Sequence, residues 1–524
     1  MGCTGIITGG SGGDDAPPEI VPGVHCDDER PGPRQLRLLT RAEYAATVHD
    51  LLGVDVDTSS IPVEPRVRGF DNNAAAMAVT SRHLDAFLAI AETTSTAAVK
   101  DHRAQVLHCD PVAADCARQF IADFGKRAFR RPLTDDEING FLPAFQGQTF
   151  DDGMGIAIAS MMVSPSFLYR WEVGISAGSS STLTPYETAA ALSYLYTGSM
   201  PDDELFAAAA ADELKTPEQR KAQARRMLAT ERGHAQVAAF VDEWLRTDGL
   251  SANKDAAIYP GFTDDVRRAM AEEQRHFVDD VVFAKNGTFK DLFVSDQVYV
   301  NAPLAQFYGL PAPAGDFAPT TAPADSGRGG LLSLGAVLAS HAHANESSPV
   351  KRGVFVRGRL LCQDLPPPPP TLNTTPPGLD PTLTTRERFS KHSSDPACAG
   401  CHQLIDPVGF GFEGFDGVGA RRTIENGLPV DMSGAVQGLD SLADATKVPF
   451  TDTKGLATVL ADSESAQACL PWQYFRYARG YQDDAYDACA IHNLQLDFTN
   501  GQLNLQDMFV DLAGLPTFNQ RKAI

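Results

Sequence analysis

Four stretches of this chain carry the same helix-opening signature, and they constrain its fold more than any other feature. Thr40-x-x-Glu43, Thr134-x-x-Glu137, Thr184-x-x-Glu187 and Thr216-x-x-Gln219 all have capping-box spacing. At that spacing the threonine oxygen accepts from the backbone three residues on, while the Glu or Gln side chain reaches back to the cap's own N–H. Pro185 and Pro217 stand at the first helical position, where a missing N–H costs nothing. Behind Thr40, the residues Tyr44, Val48, Leu51 and Leu52 recur with helical period, and Gly53 stands where a helix can stop. Behind Thr184, Ala191, Leu192, Leu195 and Tyr196 repeat the pattern as far as Gly198. Val237, Phe240, Val241, Trp244 and Leu245 form another stripe, which reads as core rather than as a cofactor box. Strand signals are sparse and no repeat of fixed period is present. The expected fold class is mainly α.

Punctuation divides the chain. Residues 1–33 read as a lipoprotein-like N-terminus and flexible tether, rich in glycine and proline. A first helical segment covers 34–100, a second 101–176, and the main helical segment 182–310. A Pro-rich spacer and a cytochrome-c-like haem segment occupy 326–425, and a C-terminal helical segment 440–524. The five prolines from Pro366 to Pro370 suit a stiff polyproline II spacer. The fold is thus expected to be a multi-domain helical protein with a small haem segment.

That segment is named for Cys398-Ala-Gly-Cys401-His402. Cys-x-x-Cys-His is the attachment signature of a covalent c-type haem: two thiols add to the porphyrin vinyl groups and the adjacent histidine reaches the iron. A zinc site would want a second close ligand pair, and no other Cys-x-x-Cys occurs. A thioredoxin-like pair would want a βαβ context, which the flanks lack. The expected cofactor is covalent haem c, held by Cys398 and Cys401, with His402 as proximal iron ligand.

The remaining cysteines bear on the compartment. Cys3, in Met-Gly-Cys-Thr-Gly, looks like the lipidated end of a lipoprotein signal whose apolar stretch is missing. That leaves Cys26, Cys109, Cys116, Cys362, Cys469 and Cys489 for disulfides, with local spacing favouring Cys109–Cys116 and Cys469–Cys489. Disulfides belong to exported proteins, so the expected location is the periplasm or outer surface, anchored through a lipid on Cys3. The net charge of −23 argues against nucleic acid and against binding an anionic membrane by charge.

Several segments together resemble a family of large, cytochrome-like exported proteins of unknown function, numerous in planctomycetes and myxobacteria. The resemblance runs from about residue 36 to the C-terminus. Its anchors are Leu39-Thr40-Arg41-Ala42-Glu43-Tyr44, Phe129-Arg130-Arg131-Pro132-Leu133, Ser164-Pro165-x-Phe167-Leu168-Tyr169-Arg170 and Ser348-Pro349-Val350-Lys351-Arg352-Gly353. The stretch from Cys362 to Pro370 is another, and the most specific is Cys398-x-x-Cys401-His402-x-x-x-Asp406-Pro407-x-Gly409-Phe410, continued by Glu413-x-Phe415-Asp416. The resemblance implies a secreted cytochrome-like architecture and carries over no catalytic residue.

Around the motif, the Pro407 carbonyl would accept from the second imidazole nitrogen, or Asp406-Pro407 would simply end the helix. Phe410, Phe412 and Phe415 would wall a porphyrin face or pack as an ordinary loop. For the sixth ligand the candidates are Met432, Met508, His341, His343 and His392, with Met432 preferred as the distal iron ligand. His341-x-His343-x-x-Glu346 is a weak metal pattern beside a polar-loop reading, and Asp406, Glu413 and Asp416 a weak calcium pattern. Glu272, Glu273 and His276 read as a solvent-facing helix.

These observations point to an exported c-type haem redox protein, an electron carrier or the redox module of a haem-dependent oxidoreductase. Its partner would be a redox protein or an extracellular substrate. The alternative is a surface-anchored binding or scaffold protein in which Cys398 and Cys401 form a disulfide or a metal knuckle.

Overall fold

Each capping box forms as its spacing dictates. Thr40, Thr134, Thr184 and Thr216 accept from the N3 backbone while Glu43, Glu137, Glu187 and Gln219 reach back to the cap. Gly53 and Gly198 close their helices at φ of 72° and 66°, in the left-handed region where only glycine is unstrained. The computed structural model describes residues 21–366, 375–392 and 396–523, and these are mainly α. Cys3, most of the polyproline run and the His392 side chain lie outside the described residues. Among the described residues no helix is long and apolar enough to cross a membrane.

The longer helices are α1 (Arg41–Leu52), α2 (Ser81–Asp101), α3 (Cys116–Ala128), α4 (Phe150–Met162), α5 (Pro185–Thr197), α6 (Pro217–Leu228), α7 (Glu231–Leu245) and α8 (Asp264–Asp279). They are followed by the short α9 (Pro349–Phe355), then α10 (Thr385–His392), α11 (Pro396–Phe410), α12 (Thr453–Ala461), α13 (Glu464–Arg479), α14 (Ala488–Asn500) and α15 (Leu505–Gly514). Strands are short and serve as ties. Strand β1 (Gln35–Leu38) pairs antiparallel with β2 (Tyr169–Glu172), Gln35 opposite Glu172 and Leu38 opposite Tyr169. Later, β3 (Gly434–Gln437) pairs with β4 (Lys447–Phe450).

Two large apolar cores result. The first joins α1 to α4, with Tyr44, Phe87, Phe120, Ile158 and Phe167 buried in it. The second draws buried residues from Ala189 to Phe518 into one cluster, with Trp244, Phe240, Phe355, Phe412 and Phe509 among them. The stripe on α7 is therefore core, as its period predicts. The main helical segment, the haem-motif segment and the C-terminal helices share this second core instead of burying separate ones.

Six cysteines form three disulfides: Cys26–Cys489, Cys109–Cys116 and Cys362–Cys469. The short Cys109–Cys116 loop agrees with its spacing. The Cys469–Cys489 expectation is overturned: α13 turns Cys469 toward Cys362, and α14 carries Cys489 to the N-terminal segment, where Asn493 also clasps both backbone groups of Cys26. Sequence proximity favours a pairing that the structure does not make, since each of the two cysteines bridges to a more distant partner. Three disulfides fit a chain that folds where thiols oxidise.

Candidate functional site

Helix α11 begins with the two thiols and ends in the core. Cys398, Cys401 and His402 occupy its first half, where a spacing of three and four residues stacks side chains on one face. Cys401 is exposed, Cys398 is half-buried, and both thiols are unbridged. Ile405, Asp406, Val408 and Phe410 in the second half are all buried. The helix thus presents its reactive end outward and anchors itself by the other.

The close anchoring has a local cause. Gly353 of α9 and Gly409 of α11 lie where the two helices touch: a Cβ on Gly409 would fall inside the Pro349 carbonyl, and one on Gly353 inside that of Ile405. Arg352, buried on the same helix, donates to the carbonyls of Phe412 at 3.0 Å, Phe415 at 2.9 Å and Asp416 at 2.6 Å. Buried Arg357 donates to the Leu404 carbonyl at 3.1 Å and to that of Gln437 at 2.7 Å. The Ser348–Gly353 anchor is therefore a clamp on the haem-motif segment, a role its sequence did not announce.

His402 Nδ1 is 2.9 Å from Oδ1 of Asp406, one turn further along α11. This hydrogen bond and the carboxylate charge raise the His402 pKa above its ordinary value, against the opposing effect of burial. Asp406 is buried, and its other oxygen, Oδ2, has no partner among the described residues. The expected Pro407 carbonyl contact is not the one made, and Asp406-Pro407 does not end the helix, which continues to Phe410. A carboxylate four residues on shares the imidazole's face, whereas the next residue's carbonyl points along the axis. The aromatics divide: Phe412 and Phe415 belong to the protein core, and Phe410 lies under the Arg386 guanidinium at 4.6 Å.

The distal candidates are placed as follows. Met432 lies just before β3, which packs on α11, and its sulfur is 3.5 Å from Nη1 of Arg421. Met508 is fully buried in the second core. His341 is a packed core histidine: Nε2 is 2.8 Å from the Leu245 carbonyl and the ring stacks on Phe355 at 4.2 Å. Burial pushes its pKa down to about 4. His343 is also lowered to about 4, by burial and then by Lys351 and Lys254, neighbours that repel a metal cation.

The other metal patterns dissolve. Glu346 pairs with Arg388, Glu413 accepts from Ser347 at 2.9 Å and Arg422 at 2.6 Å, and Asp416 caps the backbone of Val418 and Ala420. Among the described residues no three His, Cys, Asp or Glu side chains are grouped to hold a metal ion. Glu273 corrects a further expectation. It is 2 % exposed, not solvent-facing, and accepts from the Tyr308 hydroxyl at 2.6 Å and the Gly335 N–H at 3.1 Å. Its pattern on α8 alone gave no sign of the loop that covers it.

Five family models match successive segments of the chain, each described as a protein of unknown function. They are DUF1587 over residues 37–100, DUF1595 over 116–172, DUF1592 over 183–310, DUF1588 over 328–425 and DUF1585 over 447–518. The model covering the Cys398–His402 motif bears the short name PSCyt3. No curated protein and no solved structure matches the chain.

Proposed function

We propose that this chain is an exported redox protein carrying one covalent haem c on Cys398, Cys401 and His402. The observation that carries the reading is the pairing of two unbridged thiols with a carboxylate-anchored histidine on a single helix. In a chain whose other described cysteines are all in disulfides, a thiol pair left accessible is available for thioether formation. The donor set fits haem. Asp406 holds Nδ1, which fixes the tautomer that ligates through Nε2 and makes the ring a stronger donor. The unsatisfied Oδ2 of Asp406 keeps further acceptor capacity beside the ring.

Bound there, haem would supply one-electron transfer between ferrous and ferric iron. The chain's own part is to hold the histidine, to keep both thiols at the surface for maturation, and to fix α11 on the Arg352 clamp. Met432 is proposed as distal ligand, and ligation would require its sulfur to leave Arg421. The disulfides support folding outside the cytoplasm, and a lipid on Cys3 would hold the protein at a membrane surface.

The test is a visible spectrum of protein made with export and haem-maturation machinery, oxidised, reduced and then exposed to carbon monoxide. A c-type band that survives acid–acetone extraction and vanishes in Cys398→Ala/Cys401→Ala is expected. A folded, exported and colourless protein would overturn the reading. Carbon monoxide binding would favour catalysis, and a closed six-coordinate spectrum lost in Met432→Ala would favour electron transfer.

A further inference from the structure

A cleft of about 300 Å³ opens where the residues after α3, strand β2 and the start of α5 meet. Phe129, Arg130, Ser166 and Tyr169, from two of the sequence anchors, form part of its wall. Neither a disulfide nor the Cys398–His402 motif contributes to it. Alternation along β2 gives the cleft its character. Arg170 and Glu172 are buried, so Tyr169 and Trp171 stand on the opposite face of the strand. Tyr186, the second residue of α5, adds a third aromatic ring to the same lining. Trp171 is 44 % exposed, and no other Phe, Tyr or Trp is exposed among the described residues. Leu36, directly opposite it on β1, is exposed too, as is Ile175, next to Val173 and Gly174 of the lining. Exposed apolar side chains gathered at a cleft mark a surface built for contact, and Trp and Tyr are the rings such surfaces favour.

Hydrogen bonding selects the chemistry of the occupant. The acceptors around the cleft are already engaged. Nη2 of Arg130 donates to the carbonyls of Ser166 at 2.6 Å, Phe167 at 2.8 Å and Tyr169 at 2.9 Å. The Glu187 carboxylate accepts from the backbone N–H groups of Val173 at 3.0 Å, Gly174 at 3.1 Å and Thr184 at 2.8 Å. Arg131 is held by Glu137 through both terminal nitrogens, at 2.9 and 2.7 Å. The aromatic donors are free. The Trp171 indole N–H and the hydroxyls of Tyr169 and Tyr186 have no hydrogen-bond partner among the described residues.

The cleft therefore offers apolar ring faces and spare donors, with its charged acceptor already satisfied. A saccharide hydroxyl donates as well as accepts, and an ordinary peptide brings N–H groups that need acceptors. A proline-rich segment brings apolar rings and carbonyl acceptors but no N–H. In the polyproline II helix those carbonyls are unpaired, and the helix is preformed, so docking it in an aromatic groove loses little entropy. The net charge of −23 further favours a segment without carboxylates. We propose that this cleft docks a proline-rich polyproline II segment of a partner protein. Its rings pack on Tyr169, Trp171 and Tyr186, and its carbonyls accept from their O–H and N–H groups.

This proposal is independent of the haem reading, and its test needs no haem. Titration calorimetry of the full chain would use blocked hexaproline as the probe, with blocked hexaglycine and maltotriose as the ordinary-peptide and saccharide alternatives. Saturable binding of hexaproline with a Kd below about 1 mM is expected. It should weaken about tenfold in Trp171→Ala, which removes a ring face, and about threefold in Tyr186→Phe, which removes only a hydroxyl. Val112→Ala, exposed and outside the cleft, should leave it unchanged. Should Trp171→Ala fail to fold, Tyr186→Phe carries the test alone. No hexaproline binding up to about 10 mM would overturn the proposal. So would hexaproline binding indifferent to both cleft variants, or hexaglycine or maltotriose binding as tightly. The chain carries a five-proline run of its own, Pro366–Pro370, so sedimentation velocity is measured alongside. Self-association that Trp171→Ala abolishes would put a second copy in the cleft and overturn a separate partner.

Discussion

Asp406 and His402 lie one turn apart on a single helix, and the 2.9 Å contact between Oδ1 and Nδ1 ties the only histidine of the Cys-x-x-Cys-His motif to a buried carboxylate. The rest of the site follows from this relationship. It holds the imidazole by Nδ1 and links the exposed start of α11 to its buried end.

The pair makes stability depend on pH in haem-free protein. His402 has a folded pKa raised above 6.5, so its contribution is fully present below about 6.5 and is lost as pH rises through the folded value. The Tm difference between wild type and Asp406→Asn is therefore expected to be largest at mildly acidic pH and to shrink above the folded pKa. A difference that grows with pH would contradict the assignment.

Glu243 behaves in the opposite environment but with related sign logic. Its folded pKa is raised to about 8 by burial and the Asp71 carboxylate, so the folded state holds a proton that the unfolded chain releases near 4.5. Stability from this group falls as pH climbs from about 4.5 and levels off above about 8. Glu243→Gln should flatten that slope in urea denaturation at stepped pH.

Thiol chemistry distinguishes the cysteines. In a Cys3→Ser, haem-free and unreduced protein, an aromatic disulfide reagent is expected to titrate two thiols, Cys398 and Cys401, with Cys401 the faster because it is exposed. Replacing Cys26 and Cys489 by serine should cost about 2–5 kcal/mol, more than replacing Cys109 and Cys116, because the closed loop spans 463 residues instead of 7.

Gly409→Ala tests the helix clamp. The added methyl group meets the backbone carbonyl of Pro349, which cannot rotate away, so a loss of about 1–3 kcal/mol is expected. Gly400→Ala on the same helix, with open space at that position, should be near neutral or slightly stabilising. Equal effects would mean that the two helices are not in close contact.

The legible part of this protein is local. Thr40, Thr184 and Thr216 predict their helices because a capping box is a relation among four consecutive residues, and Gly53 and Gly198 end theirs because the left-handed turn needs no distant partner. The α7 stripe is likewise visible in its period. Glu273 was not legible, since a carboxylate on a polar-looking helix is buried only once Tyr308 and the Gly335 backbone arrive over it.

By itself, then, the sequence determined the helical class, the starts of the capped helices and the thiol–thiol–imidazole spacing of Cys398, Cys401 and His402, all written within a few residues. Tertiary structure alone decided that Cys489 joins Cys26 across 463 residues, that Asp71 meets Glu243 across 172, and that Arg352 holds the segment after α11. Such contacts depend on the directions in which packed helices carry their side chains. No short-range pattern records those directions, because they are set by the burial of the whole core.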